Sequence, residues 1–203
     1  MLGFRYGDLN VYVPPGASET VVVRCHTTQA VQSRLFEKIL KRYGTITVSR
    51  NARSMHLNCY LNNSFRFLIG KYPREMRELV RSDDNVFWAF AAGYIDAEGT
   101  FGLNQGRGRF KIDAYDRLIL ADIHAFLLDH GIRSKFRVIA RKGENDYGWV
   151  WKQDVWRLSV NEGGSLERLI HFLEPYLLHA KRKADARKVL KNVVQRRLNG
   201  TIR

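Results

Sequence analysis

One pattern of side chains occurs twice in this chain, and it restricts the possible folds more than any other feature. Ile39, Leu40 and Gly44 are matched 87 residues later by Phe126, Leu127 and Gly131. Met55, Leu57 and Cys59 are matched 101 residues later by Trp156, Leu158 and Val160, and Phe65, Leu68 and Ile69 by Leu166, Leu169 and Ile170. The spacing grows by 14, which places a longer loop in the second copy at about Arg141 to Asp154. Between the matched points the periodicity runs strand, strand, helix, strand, strand, helix in both copies. In the first copy, Asp8 to Val13 and Thr20 to His26 read as strands. Thr28 is expected to cap a helix to about Arg42, and Gly44 to close it. Thr45–Arg50 and Met55–Cys59 alternate as a hairpin, residues 62–69 read as a short helix, and residues 74–82, after Pro73, as a charged connector. In the second copy, Thr100–Leu103 and Arg109–Asp113 form a hairpin turned by Gly106 and Gly108. Asp116 caps a helix burying Ile119, Ile123, Phe126 and Leu127, and Lys135–Ala140 is the next strand.

The second copy opens with FWAFAAGYIDAEGTFGLN, residues 87–104, which changes character in the middle. Up to Ala97 it is small or apolar, as a buried helix requires, and after Gly99 it alternates as a strand does. Glu98 stands where the helix ends. The carbonyl end of a helix carries partial negative charge, a poor place for a carboxylate unless a cation accompanies it.

Ala91 to Gly99, AAGYIDAEG, resembles the LAGLIDADG motif of the homing endonucleases. Ala92, Gly93, Ile95, Asp96, Ala97 and Gly99 are identical to it, and Glu98 replaces the last aspartate. The resemblance implies that Glu98, and not Asp96, is the metal-binding catalytic acid. It also implies an α+β fold of two pseudo-symmetric αββαββα repeats, with two antiparallel sheets forming a saddle and the motif helices packed at its centre. The repeats are expected at residues 1–82 and 83–203. The first motif is degenerate or truncated: a shift of 90 lays MLGFRYGDL over AAGYIDAEG, so Gly3 meets Gly93 and Asp8 meets Glu98, while Arg5, Tyr6 and Leu9 depart from the pattern. Asp8 is therefore either the second metal ligand or an ordinary exposed aspartate. Helices meeting at Gly3 and Gly93 can approach closely, since neither glycine has a side chain.

The charge supports a polyanionic partner. The chain carries 34 Lys and Arg against 20 acids, a formal +14 with pI about 10.1. Residues 181–203 hold nine basic residues and one acid. Hydrophobic content of 45% with 12% aromatics excludes wholesale disorder. Cys25 and Cys59 form no CxxC pair and have no zinc spacing, which fits a reducing intracellular setting in cytoplasm, nucleoid or organelle matrix. No apolar run approaches the ~18 residues of a membrane span.

The resemblance implies hydrolysis of double-stranded DNA at a long, nearly palindromic site. A monomer would act with Mg²⁺ or Mn²⁺ held by Glu98 and Asp8, as hard oxygen ligands favour. The run EPYLLHAKRKADARKVL, residues 174–190, is similar to the family segment that supplies an active-site lysine, here Lys181 or, failing it, Lys183. Lys71 is the only comparable residue of the first copy. Strand residues of one parity share a face and can reach base edges or phosphates. The DNA-binding candidates are Arg24, His26, Arg50, Arg107, Arg109, Lys111, Arg137, Arg157 and Lys183. Such genes are commonly intron-encoded. The alternative on the same fold is an RNA maturase, with intron RNA as partner, or a cleavage-inactive DNA-binding protein.

Overall fold

The computed structural model of the chain describes residues 1–17, 19–146 and 148–202. Its contacts divide into two compact units, Met1–Ala97 with Leu178–Lys181, and Glu98–Leu177 with Arg182–Arg203.

The first unit begins with helix α1 (Leu2–Asp8). The strand expected from Asp8 is shorter and later: β1 covers Asn10–Tyr12 and pairs with β2 (Thr20–Thr27). Helix α2 (Ala30–Leu40) follows, then β3 (Thr45–Arg50) and β4 (Met55–Asn62). The four strands form an antiparallel sheet in the order β1-β2-β4-β3. α2 is amphipathic as its spacing requires. Leu35, Phe36, Ile39 and Leu40 are buried with Val21, Val23, Cys25, Leu57, Cys59 and Leu61 of the sheet and with Phe4 of α1. The turn into α2 is organised by Thr27 rather than by Thr28: the Gln29 backbone N–H donates to Thr27 Oγ1 at 3.0 Å. Asn63–Leu68 is a 3₁₀ helix, held at its start by Ser64 N donating to Asn62 Oδ1 at 3.0 Å. Residues 74–82, read as a connector, contain a real helix, α3 (Arg74–Arg81). Pro73 precedes it, Glu75 sits in its first turn, and Arg74 pairs with Glu78 one turn on. Helix α4 (Asp84–Glu98) contains the motif and belongs to this unit as far as Ala97.

The second unit repeats the plan. β5 (Gly99–Asn104) and β6 (Arg107–Ala114) form a hairpin, followed by α5 (Arg117–Asp129), β7 (Lys135–Ala140), a short ladder of β8 (Asn145–Asp146) and β9 (Trp149–Val150), and β10 (Val155–Val160). Helix α6 (Gly163–Leu173) follows, and α7 (Ala180–Leu198) belongs to this unit from Arg182 on. The sheet order β5-β6-β10-β7 is that of the first unit with each strand replaced by its counterpart. The longer loop expected at 141–154 is where β8 and β9 lie. The β5–β6 turn is Gln105–Gly106, with φ of +49° and +70°, the left-handed pair that a two-residue hairpin uses. Gly108 is not part of it. Gly108 lies in β6, where a Cβ would stand 2.9 Å from Val189 Cγ1, and its N–H donates to Asn192 Oδ1 at 3.0 Å. α7 buries Ala186, Val189 and Val193 and exposes Lys181, Arg187, Lys188, Lys191 and Arg197. Among the described residues no helix is long and apolar enough to cross a membrane.

Candidate active site and nucleic-acid interface

Beyond its exposed first turn the motif helix is largely buried, through Phe87, Trp88, Phe90, Ala91, Ala92, Tyr94, Ile95 and Asp96. It packs on α1 at the two glycines. A Cβ on Gly3 would fall 1.9 Å from Phe90 O and 2.5 Å from Tyr94 N, and one on Gly93 would fall 3.1 Å from Phe4 N. The backbones touch directly at Gly3, where no side chain fits, while at Gly93 the fit is merely tight.

Each helix ends in an acid five residues beyond its glycine, α1 at Asp8 and α4 at Glu98, and both carboxylates are half-buried. Asp8 is oriented from the sheet side: Gln32 Nε2 donates to its Oδ2 at 2.5 Å, and Thr27 Oγ1 donates to Gln32 Oε1 at 2.7 Å. Cys25 registers the same carboxylate. Burial, reinforced by the negative charge of Asp8, pushes its thiol up to about 12. Asp96, two residues before Glu98, has a different surrounding. It is 3% exposed, and its Oδ2 accepts the Leu178 N–H at 2.8 Å, which ties the segment before α7 to the motif helix.

Arg5, a departure from the motif, is 8% exposed. It donates to three carbonyls, Leu9 O at 2.7 Å, Leu68 O at 2.9 Å and Gly70 O at 3.2 Å. Burial lowers its affinity for the proton, with the nearby Tyr6 opposing. Arg5 thereby holds the residue after Asp8 and the end of the 3₁₀ helix to α1. Tyr6 fills the aromatic cluster with Tyr72 and Phe90. Lys181 is exposed in the first turn of α7. Lys183 donates to Glu174 O, the C-cap of α6, at 3.0 Å, where a cation meets the negative end of a helix.

Strand register sorts the remaining candidates. In the first unit Arg24 is opposite Asn58, and His26 opposite His56 and, through β4, Ser49. This face is open, while its reverse carries the core. The Arg24 guanidinium is held in place: Nε donates to Asn58 Oδ1 at 2.9 Å, Nη2 to Tyr12 OH at 2.5 Å, and the group lies over the Tyr12 ring. Arg50 pairs with Met55, which pairs with Thr27, so it lies on the opposite face, exposed at the end of β3. The parity of the strand decides this.

In the second unit Arg107, Arg109, Lys111, Asp113, Arg137 and Arg157 share one face. Asp113 organises it. Arg157 donates to both its oxygens, at 2.6 and 2.7 Å, and Lys111 Nζ to Oδ2 at 2.8 Å. Burial alone would raise the Asp113 pKa, but these bonds outweigh it and hold the carboxyl below its usual range. Arg157 stands directly opposite Arg137. The Asp113 bridge takes up that like-charge pairing, and Arg107, Arg109, Lys135 and Arg137 are exposed on the same face.

The long-range partners Gln32, Asn58, His56 and Asp113 carry no local sequence signal. The two copies thus share one αββαββ plan, and the helices that open them meet at glycines. Residues 87–173 match the model of the LAGLIDADG-like domain family. Solved structures of the homing endonuclease I-DmoI share the fold. A mesophilic-variant structure is 15% identical, covers 92% of this chain and 94% of that one, and has a TM-score of 0.60. I-DmoI in complex with DNA and Ca gives the same values. The LAGLIDADG meganuclease I-AabMI bound to uncleaved DNA is 12% identical over 98% of this chain and 90% of that one, with a TM-score of 0.58. No curated protein matches the chain by sequence.

Proposed function

We propose that this chain is a site-specific, metal-dependent endonuclease acting as a monomer on double-stranded DNA, its two repeats spanning residues 1–82 and 83–203. The observation that carries the reading is the glycine-to-glycine contact of α1 and α4, each helix ending in a carboxylate five residues further on. Solved relatives of the same fold hold DNA with Ca or Mn. Asp8 and Glu98 offer hard oxygen donors at helix carbonyl ends, where a cation offsets both charges. Among the described residues no group of three or more His, Cys, Asp or Glu stands ready to hold an ion. Two carboxylate donors fit Mg²⁺ or Mn²⁺, which keep water and substrate oxygens as ligands, better than zinc, which favours histidine and cysteine. When bound, such an ion lowers the pKa of the attacking water and neutralises charge on the leaving oxygen.

The chain's own residues bind and orient. Gln32 points the Asp8 carboxylate, and Arg5 fixes the backbone just beyond it. Lys181, exposed at the start of α7, stabilises charge developing on the phosphate. Arg24 and His26 on one open face, with Arg107, Arg109 and Arg137 on the other, contact base edges and phosphates. Lys111 and Arg157, shared with Asp113, and Lys183, engaged at the end of α6, add positive potential.

The test is cleavage of the DNA flanking the gene, or of a site selected from a random library, with Mg²⁺, Mn²⁺ or Ca²⁺. Binding with all three and cutting with Mg²⁺ or Mn²⁺ is expected. Glu98→Gln is expected to keep binding and abolish cutting. Binding without cutting in every metal assigns the chain instead to the cleavage-inactive binders of this fold.

A further inference from the structure

Strand β3 stands at the end of the sheet order β1-β2-β4-β3 and, among the described residues, pairs with β4 alone. The hairpin fixes which of its backbone groups are taken. The Asn51 N–H donates to Ser54 O at 3.0 Å, so the alternation of an antiparallel ladder turns Thr45, Thr47 and Ser49 toward β4. The same alternation turns the N–H and C=O of Ile46 and Val48 away from it. Ile46 and Val48 lie on the helix side of the sheet, opposite Cys59 and Leu57. Helix α2 packs over β2 and β4 and leaves them at its margin, Ile46 half-buried and Val48 40% exposed. Thr45, Thr47 and Ser49 are exposed on the other side, and the strand has no charge before Arg50 and no proline. Its counterpart in the second sheet is guarded. β7 carries exposed Lys135 and Arg137, its Phe136 stacks on Trp156 with ring centroids 5.0 Å apart, and its register with β10 shifts at Val155. Charge and irregular register are the ordinary protection of a sheet edge, and one repeat has them while the other does not.

We propose that β3 is a self-association edge, on which two copies of this chain pair β3 to β3, antiparallel, about a twofold axis at Thr47. This register sets Ile46 opposite Val48 of the second copy, Thr45 opposite its Ser49, and Thr47 opposite its Thr47. It joins the positions whose backbone groups point outward, so each Ile46–Val48 pair exchanges both of its N–H···O bonds. On the helix side the β-branched Ile46 and Val48 of both copies cover one another, and on the other side only hydroxyls meet. Arg50 falls opposite Gly44 and not opposite a second cation. A slip of one residue would set outward backbone groups against inward ones, and a slip of two would set Arg50 against Ile46. The pairing uses up both β3 edges, and the far edge of each sheet, β1, is three residues long, so assembly stops at two. The contact is one strand wide, which makes the dimer weak and concentration-dependent. The monomer proposed to act on DNA is the dilute species, and the edge itself does not rest on that reading.

The full chain, free of DNA, is followed by sedimentation equilibrium from about 1 to about 500 µM, the range in which a weak interface of this kind saturates. A monomer at the low end and a dimer, with nothing larger, at the high end are expected. Val48→Pro removes an outward N–H and no bond to β4, at a place where an edge strand tolerates proline, and is expected to abolish the dimer. Val48→Lys is expected to do the same, and Ile139→Lys on β7 to leave the dimer as it is. In the wild-type chain, hydrogen exchange is expected to slow at the Ile46 and Val48 amides as concentration rises, while the Thr47 amide, already turned to β4, is unchanged. A monomer at every concentration, growth beyond two copies, a dimer that survives both Val48 variants, or concentration-dependent protection away from β3 overturns the proposal. Because no DNA is present, failure of cleavage elsewhere leaves this result standing, and the reverse holds as well.

Discussion

Replacing Gly3 by alanine places a methyl carbon 1.9 Å from Phe90 O and 2.5 Å from Tyr94 N, both backbone atoms of the motif helix. Non-bonded carbon contacts settle at about 3.5 Å, so α1 and α4 must separate by ~1.5 Å at their crossing. No rotamer change relieves the clash, since the opposing atoms are main chain. Overpacking of this kind costs about 1–3 kcal/mol or more, and the gain of about 1 kcal/mol from alanine's helix propensity recovers only part of it. Gly93→Ala is the internal control. Its methyl would meet Phe4 N at 3.1 Å and Gly3 Cα at 3.4 Å, a much smaller intrusion, which the propensity gain roughly cancels. For a chain of this size 1 kcal/mol moves Tm by roughly 2–4 °C. Thermal unfolding followed by circular dichroism is therefore expected to show Gly3→Ala several degrees below wild type and Gly93→Ala within about 2 °C of it. In the cleavage assay Gly3→Ala is expected to lose turnover while retaining DNA binding, because displacing a reactive group by 1 Å costs about 10²-fold. Equal melting temperatures for wild type and Gly3→Ala would refute the close contact and the argument built on it.

Arg5→Met removes the donor for Leu9 O, Leu68 O and Gly70 O. Leaving buried acceptors unsatisfied costs about 1–3 kcal/mol each, so urea unfolding is expected to show a clear fall in midpoint with an unchanged slope. Asp113 has its folded-state pKa below the ordinary value of 3.8, so its stabilisation is fully present above that value and is lost as pH falls through the lower folded value. Melting between pH 6 and 2 is expected to lose a component in the wild type that is missing in Asp113→Asn. Cys25, buried and pushed up to about 12, is expected to resist a thiol reagent at pH 8 in the folded chain and to react once denatured.

The amphipathic helices α2 and α5, the alternating hairpins and the duplication were all legible in the sequence, because each rests on local periodicity. Where sequence reasoning departed from the structure, a distant partner decided. Gly108 looked like part of a turn, but it is glycine because Val189 and Asn192 of α7 press against β6. Thr27, not Thr28, serves the start of α2, and its hydroxyl reaches Asp8 through Gln32. Residues 74–82 looked like a charged linker because their helix buries only Val80 and so has little apolar stripe to reveal it. Arg50 reads from the sequence as one more strand cation, yet its register with Met55 turns it to the face opposite Arg24 and His26.

The primary sequence by itself determined the two-copy architecture, the excess positive charge and the acid at the end of the motif helix, for these depend on residue type and spacing along the chain. The meeting of Gly3 with Gly93, expected from the alignment of the two copies, is there; only the tertiary structure decided that Arg5 is a buried clasp on three carbonyls, that Asp96 anchors Leu178, and that two histidines face one another where the other repeat has Asp113 and Arg157. Those are contacts between residues tens of positions apart. Register and packing settle them, and no local pattern encodes either.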